Sequence, residues 1–275
     1  MGQYSREISK RIQHTRIKEG YCLICGKFGA LSKDHVPPQG SIQITKVEQK
    51  HITELMGDES NSLKGVKAKN GSIFKTICSA CNNEILGKND SEISRVHKEL
   101  TVLIRAHFEG PLVTPTMLSL DIDAIRYARA MIGHILAATS VSECRTEPVD
   151  APYFKPLQEF VLGENDAIEN THDIYYWFYP HKKHLSAKMV GFHNEGNMTI
   201  LSLLSFFPVA FLVTQKGKGT YPAHARRLKL TDRKMHLSLS MHNAKFVDFP
   251  FIELTGNSFY LLADQQCIVS YPVKE

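Results

Sequence analysis

Two Cys-x-x-Cys pairs constrain this chain more than any other feature: Cys22-Leu-Ile-Cys25 and Cys78-Ser-Ala-Cys81. Four thiols in that pattern suit a tetrahedral zinc ion, because soft sulfur holds the metal in a closed cage with no position left for substrate. Such an ion is structural. It pins two segments that stand 53 residues apart, from Cys25 to Cys78, and brings the strand after the first pair beside a helix starting at the second. An iron-sulfur cluster or unconnected thiols are the alternatives. Gly26 provides the tight turn of the first pair. Cys144 and Cys267 stand alone and read as fillers of space.

A chain of 275 residues, 43% of them hydrophobic, can fill a core without help from a metal. The first 20 residues are polar and charged and do not resemble a signal peptide, so a reducing cytoplasm is the expected location. The nearest approach to a membrane span is Ile200 to Val213, which is short, contains Pro208 and reads as core strand. No membrane partner is expected. The net charge of +5 is unevenly placed: residues 1–100 carry 16 Lys or Arg against 11 Asp or Glu, while residues 101–275 carry 17 of each. The cysteine-bearing segment therefore attracts a polyanion, with DNA the expected partner and RNA not excluded.

The chain reads as α+β. A basic arm or short helix at 5–18 leads to the first knuckle, and Ala30 to His35 forms a strand that Pro37 and Pro38 stop. Residues 39–71 are polar and read as a surface insertion with little share in the core, with a helix near 48–56. Ser72 to Ile77 returns the chain to the second knuckle, and a helix from Cys81 ends near Gly87. Helical periodicity at 90–108 and 121–138 gives a helical connector, and 144–171 reads as loop. Strands follow at 174–179, 188–193, 198–207, 209–214, 246–251 and 259–263. The expected division is a head at 1–109 and an accessory or regulatory α+β tail at 110–275, built on an antiparallel sheet with its own core. The aromatic run Tyr175 to Tyr179 reads as core in preference to a base-stacking platform. His97 and His107 read as ordinary surface or core residues, and Arg226, Arg227, Lys229, Arg233 and Lys234 as a solvated turn or a second phosphate contact.

Three residues beside the cysteines carry candidate chemistry. A carboxylate at Asp34 and an amide oxygen at Asn82 are hard ligands suited to Mg²⁺ or Mn²⁺, and a neutral imidazole at His35 suits a general base. Each has a bland reading too: Asp34 capping a turn, His35 on the surface, Asn82 capping a helix.

The string Cys22-x-x-Cys25, Leu31-Ser-Lys-Asp34-His35-Val-Pro-Pro38, Cys78-x-x-Cys81-Asn82-Asn83 with Leu86-Gly87 behind resembles the zinc-stapled branch of the HNH, or ββα-metal, endonucleases. The resemblance covers roughly residues 20–95. It implies that His35 activates water, that Asp34 and Asn82 hold a divalent ion on the scissile phosphate, and that the work belongs to DNA cleavage of the kind common in bacterial anti-phage defence. Two departures stand out: 42 residues separate His35 from Cys78, and Asn82 occupies the place of the family's final histidine. A zinc-stapled nucleic-acid-binding protein without cleavage is the alternative. A homodimer or a defence-system protein partner remains open.

Overall fold

The head grows from short strands that close on the cysteines. In the computed structural model, which describes residues 17–43, 45–51, 65–110, 116–194, 196–218, 221–222, 224–240, 247–248, 257–260 and 267–273, strands are numbered along the chain. Of the readings above, the arm at 5–18 lies almost wholly outside these residues, and so does most of the strand expected at 246–251. β1 (Glu19–Tyr21), β2 (Phe28–His35) and β5 (Ile73–Cys78) form an antiparallel sheet in the order β1-β2-β5. β2 stops where Pro37 and Pro38 supply no amide hydrogen for the ladder, Val36 making the last such bond, to the Ser72 carbonyl at 3.0 Å.

A π-helical turn, Ala80–Leu86, follows β5 and runs without a break into α1 (Gly87–Glu109). The helix end expected at Gly87 is thus corrected. A glycine stops a helix when it turns left-handed, and Gly87 keeps φ −55 with its amide bonded to the Asn82 carbonyl. The buried stripe Ile93, Val96, Leu100 and Ile104 holds the long helix in place. This head is a ββα-type module.

β3 (Val47–His51) and β4 (Val66–Ala68) lie inside the supposed surface insertion, and both readings made there are corrected. A strand replaces the helix expected near 48–56 over its described part, and Val47 and Gln49 are each only 1% exposed. The physical reason is tertiary: β3 covers the edge of β14 (Cys267–Pro272), with Gln49 opposite Ser270. Gln49, Ser72 and Ser270 then satisfy one another in a buried network, the two hydroxyls 2.8 Å apart.

The tail supplies β6 (Met117–Asp121), α2 (Ala124–Ala137), α3 (Phe154–Leu162), β7 (His172–Phe178), β8 (His184–Asn194), β9 (Asn197–Phe206), β10 (Val209–Gln215), β11 (Arg226–Leu228), β12 (Lys234–Ser238) and β13 (Asn257–Tyr260). A nine-stranded antiparallel sheet runs β11-β7-β10-β9-β8-β14-β3-β4, with β13 also on β8, while β6 and β12 pair separately. The α+β architecture expected from the sequence is therefore present. The loop expected at 144–171 instead contains α3, whose Leu157, Phe160 and Val161 are buried. Pro156 falls in its first turn, where a missing amide hydrogen costs nothing, so the proline was no barrier.

One hydrophobic core joins head and tail, and a second is built from tail residues alone. The first runs from Cys22 and Ile24 through Leu86 and Ile93 to Tyr127, Met131, Phe206 and Ile268. The opposite face of the large sheet buries Tyr175, Trp177 and Tyr179, which places most of the aromatic run in the core. Among the described residues no helix is long and apolar enough to cross a membrane.

Candidate metal centre and acid-histidine network

The four paired cysteines converge. Their sulfur atoms all lie within 4.8 Å of one another, and Cys25 and Cys78 Sγ are 3.9 Å apart. A tetrahedral zinc site with Zn–S near 2.3 Å sets its sulfurs about 3.8 Å apart, so the donor set fits zinc in spacing as well as chemistry. Each pair is shaped by local backbone. The Gly26 amide returns to the Cys22 carbonyl at 2.8 Å, and Gly26 takes φ 71, a conformation that residues with a Cβ resist. The Cys78 amide points at Cys22 Sγ at 3.3 Å and the Cys81 amide at Cys78 Sγ at 3.5 Å. A hydrogen bond from Cys81 holds the Cys22 thiol down to about 5, while burial pushes Cys25 up to about 11. Cys144 is not one of the four, packs against Leu23 and Leu31, and has its thiol pushed up to about 12 by burial, as an inert space-filler should be.

Asp34 lies on β2 where the ladder with β5 slips by one residue between Ser32 and Asp34. Its carboxylate is 4% exposed and accepts from His134 Nδ1 at 3.0 Å. His134, fully buried on α2, reaches Asp90 of α1 through Nε2 at 2.9 Å. Burial opposes protonation of this ring, but the two carboxylates win and hold His134 well above its ordinary 6.5. An imidazolium with both N–H groups donating to carboxylates is the consistent state, and it is what makes a buried Asp34 tolerable.

Tail residue His134 thus positions a head residue 100 positions earlier. Sequence reading missed it. The available signal was a lone histidine, preceded by glycine, in the apolar run Ala-Met-Ile-Gly-His-Ile-Leu-Ala. Gly133 is part of the arrangement: a Cβ there would stand 2.1 Å from Leu86 Cδ2 and 3.3 Å from its Cγ. Leu86 is fully buried and has nowhere to swing. Gly133→Ala should cost about 1–3 kcal/mol by overpacking. Calorimetry should find the losses of Gly133→Ala and Leu86→Ala less than additive in the double variant, and an unperturbed Gly133→Ala would refute the close approach.

His35 is half-buried, with the Gln39 amide nitrogen 3.1 Å from its ring nitrogens. Burial lowers its pKa below the ordinary 6.5 against the opposing pull of Asp34, so the ring is neutral at pH 7. Asn82, on the π-helical turn, donates its amide nitrogen to Ser32 Oγ and to the Lys33 carbonyl, each at 2.8 Å. That use of the nitrogen leaves its carbonyl oxygen free to act as a ligand. Among the described residues the cysteine cage is the only group of three or more His, Cys, Asp or Glu with converging donors.

His97 and His172 behave as core histidines. His97 bonds Tyr127 Oη at 3.0 Å and stacks on Phe206, and burial drives its pKa to about 3 and that of His172 to about 4. Both stay neutral in the folded chain while protonating near 6.5 when unfolded, so their contribution is present above 6.5 and lost as pH falls. Each forfeits roughly 1.4 kcal/mol per unit below that point. His134 has the opposite sign: its stabilisation is full below 6.5 and is lost as pH rises from there through its raised folded value. Unfolding free energy in urea should therefore drop between pH 7.5 and pH 5, by about 2 kcal/mol for each of His97, His172 and His184, whose pKa burial also lowers to about 4, with His134 offsetting part of it. Equal values would contradict their burial as neutral rings.

No family model, curated protein or solved structure matches this chain. The functional reading rests on its own residues.

Proposed function

We propose that this chain is a nucleic-acid-binding protein whose head is stapled by a structural zinc ion. The observation that carries the reading is the convergence of four thiols at the junction of the β-hairpin and the helix. Zinc there would hold the module rigid without an open coordination position. Lys18, Lys27 and Lys33 are exposed on the same module, and Phe28 beside the knuckle is 62% exposed, offering a ring to stack on a base. The charge excess in residues 1–100 supplies the long-range attraction.

A second reading, a divalent-metal-dependent HNH endonuclease acting on DNA in anti-phage defence, is favoured by one observation. Asp34 is held by a buried histidine that is itself held by a second carboxylate, the arrangement by which outer residues orient a metal ligand. In that reading Asp34 and Asn82 hold Mg²⁺ or Mn²⁺, neutral His35 takes a proton from water, and His134 fixes the Asp34 carboxylate. The ion would supply charge stabilisation at the phosphate.

Fluorescence anisotropy with labelled DNA and RNA in EDTA, followed by plasmid nicking on addition of Mg²⁺ or Mn²⁺, tests both. Binding without nicking supports the first reading, and metal-dependent nicking supports the second. Absence of binding at low salt overturns both.

A further inference from the structure

We propose that the cleft between β11, the turn after it and β12 is a phosphate-binding site that engages the nucleic-acid backbone away from the zinc-stapled head. The proposal rests on the nucleic-acid reading for its occupant, but its chemistry is independent of the head.

The cleft has a volume of about 600 Å³ and gathers Arg226, Arg227, Lys229, Arg233 and Lys234 against a single lining carboxylate, Asp232. That carboxylate accepts from the Lys229 backbone amide at 2.9 Å, and Arg227 is paired with Asp173 outside the cleft lining. Arg226, Lys229, Arg233 and Lys234 have no carboxylate partner among the described residues, and all four are exposed. Four unpaired cations on one concave surface repel one another, and an anion with several charges relieves that repulsion. Guanidinium forks beside ammonium groups suit phosphate oxygens, which they bind bidentately or as point charges.

The cations are carried by regular backbone. β11 pairs with β7, setting Arg226 opposite Tyr176, whose hydroxyl accepts from the His236 amide of β12 at 3.0 Å. On the other side β12 pairs with β6, Lys234 facing Asp121, and the Ile122 amide donates to the Arg233 carbonyl at 3.0 Å. The site is therefore built before a ligand arrives, with only the long side chains left to order.

Its location suits a second contact on one polymer. Arg95 of α1 donates to the Asp121 carbonyl at 2.7 Å, tying the cleft's neighbourhood to the helix that starts at the cage. From Cys81 to Arg95 that helix advances roughly 20 Å, a span a short duplex covers easily.

The test uses the full-length zinc-bound protein, a 30-base-pair labelled duplex and inorganic tripolyphosphate, comparing wild type with the triple variant Arg226→Ala, Arg233→Ala, Lys234→Ala. These side chains are exposed, and zinc content and melting temperature confirm the fold. The slope of log affinity against log salt should fall by about 0.9 per lost phosphate contact, so by roughly 3, with tripolyphosphate binding lost as well. If duplex binding is unchanged while tripolyphosphate binding is present and variant-sensitive, the cleft is a site for free oligophosphates. If wild type binds tripolyphosphate but no duplex, the cleft stands and the nucleic-acid reading fails. Unchanged duplex binding with no tripolyphosphate binding overturns the cleft, and so does failure of wild type to bind either.

Discussion

Cys81→Ser should yield protein without stoichiometric zinc and with a collapsed head. Structural zinc in a thiolate cage is worth on the order of 10 kcal/mol, comparable with the whole stability of a domain. The loss will not stay local, because Cys22 and Cys81 belong to the core that continues into α2 and the large sheet. The melting temperature of the entire chain should fall by on the order of 10 °C or more. Cys22→Ser, Cys25→Ser and Cys78→Ser should behave alike, whereas Cys144→Ser, altering a buried thiol outside the cage, should keep its zinc. Elemental analysis with calorimetry decides the matter: folded Cys81→Ser protein at the wild-type melting temperature, or wild type without zinc, would remove the staple.

On the endonuclease reading, His35→Ala should lower metal-dependent DNA cleavage by about 10²–10⁴ while leaving zinc content, melting temperature and DNA affinity close to wild type. The ring is half-buried, so its truncation removes little packing. Burial lowers its pKa, so the ring stays more than half neutral at pH 6.5 and cleavage should decline at a lower pH than an ordinary histidine would give. Asp34→Ala should behave differently, since it removes a carboxylate from a buried imidazolium: it should cost stability and metal affinity together, with about 3–5 kcal/mol the usual scale for stranding one member of a buried pair. Excess Mn²⁺ that restores part of Asn82→Ala activity but none of His35→Ala would separate ligand from base. Wild type that binds but never cuts leaves the binding reading alone, and His35→Ala that cuts normally removes His35 as the base.

Local chemistry determined much of this protein directly from sequence. Two Cys-x-x-Cys pairs specify a cage because only a few atoms must meet and zinc geometry is narrow, and Pro37 and Pro38 end β2 because proline lacks the amide hydrogen the ladder needs. The apolar stripe of α1 likewise carried its structure in its periodicity, and strands β7 to β10 in their aromatic and β-branched composition. Tertiary structure decided the rest. Whether Gly87 ends a helix depends on the conformation its neighbours impose, and here packing carries the helix straight through. Polar residues 47–51 became strand because β14 offered an unpaired edge and Ser270 a partner for Gln49, neither visible from the local pattern. The Asp34–His134–Asp90 network joins three elements across 100 residues, and a lone histidine in an apolar helix does not announce which carboxylates it will meet. Gly133 lets α2 come close to Leu86 just before α1, which the local sequence does not announce either.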